Sequence, residues 1–379
     1  MEIQEKVKVL GQAAALDCEG PPALTREERK KQAIEHSLAH VVHPQRGTIP
    51  IMRTMQTSAC ERNCFYCPFQ AGRNYRRVSF EPQELASAFD QMQRKKLVEG
   101  LFLSSGIIGG GAKTMDKMLD TVEILRRDYE YGGYIHLKVI PGAETAQIEQ
   151  AARLADRLSI NLEAANENRL PTLAPKKDFL KELLPPLYWV RQNRHTLGPW
   201  VKPPSLSTQF VVGPAGETDQ ELLITADTLY QRAGLSRAYY SAFKPVAGTT
   251  FEDRPRTSPL REHRLYQADW LLRFYEFQMD ELPFDEGGNL PLSRDPKLIW
   301  AGTNLSQQPL EINRASRREL LRIPGIGPKS ADAILAARRQ GRICDLSQLR
   351  QIGIQTNKAA PFILLNGRRP EYQLQLPGL

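Results

Sequence analysis

Cysteine is scarce in this chain, and long hydrophobic runs are absent from it. Five cysteines among 379 residues, an odd number, do not suit the disulfide framework of a secreted domain. No apolar run comes near the roughly 18 residues of a membrane-spanning helix, and the first residues lack a signal-peptide pattern. The content of 41% hydrophobic and 25% charged residues is ordinary for a globular protein. These features predict a cytoplasmic protein with reduced thiols.

Three of the cysteines, Cys60, Cys64 and Cys67, form a C-x3-C-x2-C motif. Thiolates are soft ligands that suit iron–sulfur clusters, and a [4Fe–4S] cluster normally takes four of them. Three cysteines would therefore leave one iron open to a small molecule. A structural zinc site would need a second Cys or His pair, whereas Cys18 and Cys344 lie far away in sequence. The spacing favours an open-iron cluster over the alternatives, which are zinc or incidental thiols.

An aromatic residue, Tyr66, precedes the third cysteine, and the motif resembles the signature of the radical S-adenosylmethionine (SAM) superfamily. This resemblance implies two cofactors, a [4Fe–4S] cluster and SAM, with the open iron chelated by the amino and carboxylate groups of SAM. It also implies that an electron splits the sulfonium to give a 5′-deoxyadenosyl radical, which abstracts hydrogen from a substrate. An electron donor such as flavodoxin or ferredoxin is then an expected partner.

Apolar strand-like segments alternate with helical segments through the first two thirds of the chain. This alternation predicts an α/β fold with a parallel sheet and crossover helices. Six units are too few for an eight-fold barrel, and they resemble the partial (β/α)6 TIM-type barrel of radical SAM enzymes. The predicted strands cover residues 48–57, 100–106, 134–140, 157–163, 207–213 and 237–243.

Function in such barrels gathers at the carboxyl ends of the strands. At the end of the second predicted strand, Ser104, Ser105 and Gly106 occupy the place of the superfamily's glycine-containing motif, which meets the SAM amino group. The usual Gly-Gly-Glu sequence is absent there, so only the position carries over. The resemblance implies that these three residues contact SAM.

Further polar residues alternate along the next strands. Lys138 lies on the third strand, and Ser159, Asn161 and Glu163 share one face of the fourth by the period of two. If that face is inward, these groups need partners, and SAM offers a carboxylate and ribose hydroxyls. An internal salt bridge between Lys138 and Glu163 is the alternative. Val211 begins a segment that resembles the superfamily's strand-five element near adenine.

Two other segments leave their roles open. His36, His40 and His43 would share one face of a predicted N-terminal helix, either as a metal site or as solvent-facing side chains. The proline-rich insert at about 165–206 interrupts the alternation and is expected to be irregular. Its tryptophans and basic residues could stack on a nucleic acid strand or cap the barrel; they are Trp189, Trp200, Arg191, Arg194 and His195.

The sequence Ile323-Pro-Gly-Ile-Gly-Pro-Lys-Ser resembles a helix-hairpin-helix motif, and a degenerate copy follows at 349–360. The hairpin predicts a tight turn that presents backbone N–H groups to a phosphate at the start of a helix. The expected contact residues are Gly325, Ile326, Gly327, Lys329 and Ser330. Residues 305–379 contain 12 Lys and Arg against 5 Asp and Glu, out of a net charge of +8 for the chain. This excess favours a nucleic acid partner, and backbone recognition favours double-stranded DNA.

The predicted organisation is a helical N-terminal extension at 1–44, a barrel at 45–282, a linker at 283–304 and a small all-α helix-hairpin-helix DNA-binding domain at 305–379. This combination is similar to a bacterial family of radical SAM proteins described as acting in DNA modification or repair. Three functions compete: a DNA-repair or DNA-modifying enzyme, an RNA- or tRNA-modifying enzyme, and a non-enzymatic iron–sulfur redox sensor on DNA.

Overall fold

The structure, a computed structural model, describes residues 1–15, 38–43, 47–198 and 202–371. The chain divides into two compact units. Unit 1 comprises Met1–Glu217 and Thr228–Ser258, and unit 2 comprises Thr218–Asp227 and Pro259–Leu379. Among the described residues, no helix is both long and apolar enough to cross a membrane.

Unit 1 is built on a curled half-barrel sheet of seven strands in sequential order. The edge strand β1 is antiparallel to β2, and every later neighbour pair is parallel. All five residues of β3 are buried, as expected for an interior strand of a parallel sheet covered on both faces. The predicted partial (β/α)6 barrel is therefore confirmed. The strands are β1 Leu38–His43, β2 Gly47–Met55, β3 Gly100–Ser104, β4 Tyr134–Lys138, β5 Arg157–Ser159, β6 Ser205–Val212 and β7 Leu235–Ala242.

The N-terminal segment differs from the prediction of a wholly helical extension. Ile3–Ala15 is helical and forms α1, but the chain at 38–43 pairs with β2 as an edge strand. His40 lies opposite Pro50 and His43 opposite Gly47. The prediction that these histidines share a helix face is therefore wrong, because strand pairing with β2 overrides the local helical pattern. His36 and most of the helix predicted before it lie outside the described residues.

The crossover helices follow the predicted alternation closely. α2 is Pro82–Arg94, α3 is Gly111–Arg127 and α4 is Thr145–Leu154. Pro82 stands in the first turn of α2, where its missing N–H costs nothing. Glu81 and Glu84 form a reciprocal capping box there and satisfy N–H groups that a helix start otherwise leaves unpaired.

The proline-rich insert is largely helical, which corrects the expectation of an irregular segment. It contains α5 Leu170–Leu173, a π-helical turn Phe179–Leu183, α6 Leu184–Gln192 and a 3₁₀ turn Arg194–Leu197. Its prolines open helices, since both α5 and α6 have proline at the first or second position. The side chain of Asp178 accepts hydrogen bonds from Leu180 N–H and Lys181 N–H and caps the π-helical turn. Trp200 lies outside the described residues.

Unit 2 contains the helical hairpins and the helices before them. Its buried core takes Ile312, Leu320, Ile334 and Leu349 from the hairpin region together with Ala301 from α9, inside the predicted linker. A two-stranded parallel sheet, β8 with β9, adds to the predicted all-α module. Apart from β7, the elements from residue 219 onward are α7 Asp219–Arg232, α8 Pro259–Phe274, a 3₁₀ turn Met279–Glu281, α9 Pro296–Asn304, β8 Leu310–Glu311, α10 Arg317–Arg322, α11 Pro328–Gln340, α12 Leu346–Gln351, α13 Thr356–Ala359, a 3₁₀ turn Ala360–Phe362 and β9 Ile363–Leu364.

Candidate metal and cofactor site

The three cysteines of the motif lie in the loop that follows the carboxyl end of β2. Cys60, Cys64 and Cys67 are free thiols, with Cys64 buried and the other two half-buried. The Sγ of Cys60 accepts a hydrogen bond from Ile107 N–H at 3.5 Å, a contact of the kind that cluster-bound sulfurs commonly accept. Burial raises the pKa of the Cys64 thiol. This soft, partly enclosed donor set suits an iron–sulfur cluster.

The described residues contain no group of three His, Cys, Asp or Glu side chains arranged around a single metal ion. A [4Fe–4S] cube needs no such convergence, because each cysteine binds a different iron atom. The absence of a single-ion site therefore does not count against a cube on Cys60, Cys64 and Cys67.

The loop after β3 packs directly on the cysteine loop. A Cβ at Gly106 would lie 2.3 Å from the carbonyl oxygen of Ala59, so only glycine allows this approach. The carboxylate of Glu61 accepts hydrogen bonds from Gly109 N–H at 2.9 Å and from Gly110 N–H at 3.1 Å. Glu61 N–H in turn donates to the carbonyl of Ile107 at 2.7 Å. These contacts fix the cysteine loop to the end of β3.

A row of polar residues crosses four neighbouring strands, at the carboxyl ends of β3, β4 and β5 and in the first half of β6. Lys138 on β4 pairs in register with Ser159 on β5, and Ser159 pairs with Ser207 on β6. Ser104 lies one residue beyond the Leu103–Leu137 pair and so continues this row on β3. The hydroxyls of Ser104, Ser159 and Ser207 are buried without a hydrogen-bond partner among the described residues, as is that of Ser105. Buried hydroxyls of this kind suit a polar ligand such as SAM.

The structure brings three more predicted residues together beside this row. Glu163 has a left-handed backbone with a φ of 65°, a conformation that a non-glycine residue keeps only when its surroundings hold it. Its N–H donates to Gln209 O at 2.9 Å, and its carbonyl accepts from Val211 N–H at 2.8 Å. The side-chain amide of Asn161 donates to Gln209 Oε1 at 3.2 Å. Asn161, Glu163 and Val211 therefore form one hydrogen-bonded group.

Glu163 forms a buried ion pair with a residue that sequence reasoning missed. Lys177 Nζ lies 2.8 Å from Glu163 Oε1, and the two side chains are 9% and 7% exposed. The hydroxyl of Tyr66 also hydrogen-bonds to Glu163. Burial, followed by the negative charges of Glu163 and Cys64, holds the pKa of Tyr66 well above its usual value, so this phenol is protonated. No spacing or periodicity in the sequence pointed to Lys177.

In unit 2 the first hairpin has the turn that its glycines predicted, with one correction. Gly325 has a φ of 81°, and a Cβ there would lie 2.8 Å from the carbonyl oxygen of Gln355 in the second hairpin. Gly327 instead has an extended backbone with a φ of −107° and caps α11, so the turn itself does not require glycine there. Lys329 is exposed and Ser330 half-buried in the first turn of α11, where helix N–H groups lack helical partners.

Ile326 is a buried core residue and not a surface residue. Its side chain is 1% exposed in the core of unit 2. Its N–H donates to Ile323 O at 3.2 Å, and its carbonyl accepts from Lys297 Nζ at 2.6 Å. Ile326 therefore shapes the hairpin, and its N–H is already hydrogen-bonded within the turn.

Comparison with known proteins identifies both parts of the chain. Residues 55–229 match the family model described as the Radical SAM superfamily, and residues 306–359 match the helix-hairpin-helix motif. The chain thus contains the domain of radical SAM enzymes. Members of that superfamily use a [4Fe–4S] cluster and SAM, and Cys60, Cys64 and Cys67 fit its motif. The helix-hairpin-helix motif indicates nucleic acid binding. No curated protein matches the chain significantly.

Solved structures resemble the chain only distantly. Methylornithine synthase (PylB) is 15% identical with a TM-score of 0.43, over 56% of this chain and 59% of that one. The FeFe-hydrogenase maturase HydG from Carboxydothermus hydrogenoformans is 18% identical with a TM-score of 0.41, over 57% and 50%. A second structure of HydG, a maturase of the [FeFe]-hydrogenase, is 10% identical with a TM-score of 0.46, over 72% and 62%. The chain spans less than two thirds of each of these proteins.

Proposed function

We propose that the chain is a radical SAM enzyme that acts on DNA, in repair or in modification. The observation that carries the radical SAM part is the cysteine loop beside a row of buried hydroxyls that have no hydrogen-bond partner in the described part of the chain. When bound, the cluster and SAM supply a 5′-deoxyadenosyl radical that can abstract hydrogen from a substrate. The residues of the chain hold and orient these groups.

The predicted site residues of the half-barrel, apart from Tyr66, have the following roles in this proposal. Cys60, Cys64 and Cys67 bind the cluster through their thiolates. Gly106 lets the end of β3 approach that loop, since a side chain there would collide with Ala59. The hydroxyls of Ser104, Ser105 and Ser159 bind polar atoms of SAM, as does the hydrogen-bonded group of Asn161, Glu163 and Val211; Lys138, in the same row as Ser159, binds the carboxylate of SAM.

The DNA part of the proposal comes from unit 2. The first turn of α11 offers the N–H groups of Lys329 and Ser330, the helix dipole and the exposed ammonium of Lys329 to a phosphate. The net excess of basic residues over 305–379 favours any nucleic acid. Contacts to the backbone carry no base information, so binding should depend weakly on sequence. We also propose a cytoplasmic location, with flavodoxin or ferredoxin as electron donor, because the thiols must stay reduced.

Deuterium transfer tests this function directly. The protein is reconstituted anaerobically with iron and sulfide and incubated with SAM, dithionite and deuterium-labelled duplex DNA, single-stranded DNA or tRNA. We expect deuterium in 5′-deoxyadenosine with DNA. The Cys64→Ala variant should lose this product, whereas Cys344→Ala, which removes an exposed free thiol in unit 2, should keep it.

Each outcome separates the three functions named above. Deuterium from tRNA and not from DNA would establish RNA modification instead. A cluster that forms and responds to redox state, with no SAM cleavage under any condition, would establish a sensor. A reconstituted protein that holds zinc and no iron would overturn the radical SAM assignment.

A further inference from the structure

A segment of the proline-rich insert contacts the cysteine loop. We name this segment, residues 173–182, the clamp segment. Phe65 N–H, inside the cysteine motif, donates to the carbonyl of Leu173 at 2.8 Å. The guanidinium of Arg62 forms an ion pair with Glu182 at 3.0 Å and also donates to the carbonyl of Lys176. The clamp segment therefore contacts the loop between Cys60 and Cys67 at two separate residues.

The clamp segment also places one positive charge, the ammonium of Lys177, at the buried side of the cysteine loop. Lys177 pairs with Glu163 at 2.8 Å, and Glu163 also binds the hydroxyl of Tyr66, which lies between Cys64 and Cys67 in sequence. Glu163 is held in place, because its backbone N–H and its backbone carbonyl both form hydrogen bonds with β6. The ammonium of Lys177 is thus held in a fixed place next to the cysteine motif.

The contacts of the clamp segment place this ammonium beside the cysteine loop. The preceding residue, Lys176, accepts a hydrogen bond from Arg62 through its carbonyl, and the ammonium of Lys177 lies 2.8 Å from Glu163 Oε1. The side chains of Lys177 and Glu163 are each less than 10% exposed, so water screens their charges weakly. A charge at this place acts on any group that the three cysteines hold.

We propose that Lys177 is a positioning residue that tunes the cluster, its ammonium favouring the reduced state, while Glu163 opposes it. This inference rests on the proposed function, because it requires a cluster on Cys60, Cys64 and Cys67. One-electron reduction by an external donor, dithionite in the test, adds a negative charge to the cluster. A nearby cation stabilises that charge, and a nearby carboxylate destabilises it.

The opposite signs distinguish charge tuning from mere support of the loop. Lys177→Met keeps a side chain of similar length and removes the cation, so reduction should become harder. Glu163→Gln keeps the shape and removes the anion, so reduction should become easier. The matched control is Lys181→Met, which removes the same charge from the clamp segment at a side chain that is 86% exposed.

The measurement is a redox titration of the reconstituted cluster without SAM, followed by electron paramagnetic resonance. For Lys177→Met we expect at least a tenfold lower ratio of reduced to oxidised cluster at a fixed potential, which is about 59 mV for a one-electron couple. For Glu163→Gln we expect a shift in the opposite direction. Lys181→Met should stay within about threefold of the wild type, as screened surface charges do.

Two results would overturn the inference. One is a shift of Lys177→Met no larger than that of Lys181→Met. The other is a shift of the two buried variants in the same direction. If Lys177→Met does not retain a cluster, two other variants decide instead. They are Lys177→Arg, which keeps the charge, and Glu163→Gln. Absence of the Glu163→Gln shift then refutes the idea. Failure of the wild-type protein to assemble any cluster would refute the proposed function, which is a separate result.

Discussion

Arg322 and Glu281 form a two-point ion pair in unit 2, with Arg322 Nε 2.9 Å from Glu281 Oε1 and Arg322 Nη2 2.7 Å from Glu281 Oε2. The guanidinium also donates to the carbonyls of Tyr275 and Glu276 and lies 3.9 Å from the ring centroid of Phe277. Arg322 belongs to α10, the first helix of the hairpin motif, and its partners follow α8. The hairpin motif is therefore held to the segment that precedes it by an ion pair and hydrogen bonds.

Replacing Arg322 by Met should destabilise the hairpin region strongly. The side chain is 5% exposed and satisfies two backbone carbonyls besides Glu281, and breaking a buried charge pair typically costs about 3–5 kcal/mol. Hydrogen exchange of α10 and α11 measures this loss. The control is Arg318→Met, whose charge lies 3.7 Å from Glu281 but is 60% exposed, so it should cost less than about 1 kcal/mol. Equal exchange rates in both variants would contradict the role of Arg322.

Gly106→Ala should prevent cluster assembly while leaving most of the fold intact. Its Cβ would lie 2.3 Å from the carbonyl oxygen of Ala59 and 3.2 Å from the Cβ of Cys60, so the cysteine loop must shift. We expect a several-fold lower iron content after anaerobic reconstitution, measured per folded chain. Gly132→Ala is the matched control, because a Cβ there meets nothing within 4 Å. Normal iron content in Gly106→Ala would show that the loop tolerates displacement.

Lys329→Ala should weaken nucleic acid binding uniformly across sequences. If its ammonium contacts one phosphate, the slope of log affinity against log salt should become shallower by about one unit. Fluorescence anisotropy with duplex DNA, single-stranded DNA and tRNA at several salt concentrations measures this. Arg339→Ala removes an exposed positive charge from the other end of α11 and should change the slope less. Identical slopes for the two variants would place the phosphate contact elsewhere.

The buried amine of Lys297 should make unit 2 more stable at alkaline pH. Burial lowers the pKa of Lys297 to about 7, whereas the unfolded chain keeps the usual value near 10.4. Between these two values the unfolded state holds a proton that the folded state has released, so the free energy of unfolding rises with pH. The rise should approach about 1.4 kcal/mol per pH unit from one group.

Hydrogen exchange of unit 2, corrected for the intrinsic rate at each pH, compares pH 7 with pH 9 in the wild type and in Lys297→Met. The variant should lack the increase. A variant that gains as much stability as the wild type would assign the effect to another group. Below pH 7 Lys297 is protonated in both states, so it adds no further pH dependence there.

The local sequence predicted a large part of the fold and of the candidate site. The cysteine motif is confined to eight positions, so its spacing alone predicts the shared loop of Cys60, Cys64 and Cys67. The alternation of apolar strands and amphipathic helices predicted the six parallel strands, because each pattern reflects a face that must be buried. The hairpin glycines likewise predicted the turn at Gly325, since a positive φ favours glycine.

Tertiary structure alone decided the contacts between distant segments. Lys177 meets Glu163 and Arg322 meets Glu281 because of how the insert and the hairpin motif dock, and no periodicity records that docking. The orphan hydroxyl of Ser207 became visible only when strand register aligned it with Ser159. Residues 38–43 form a strand because β2 offers an edge to pair with, which overrides the local helical pattern. Sequence determines such partners only through the complete fold, since burial and pairing depend on segments far apart along the chain.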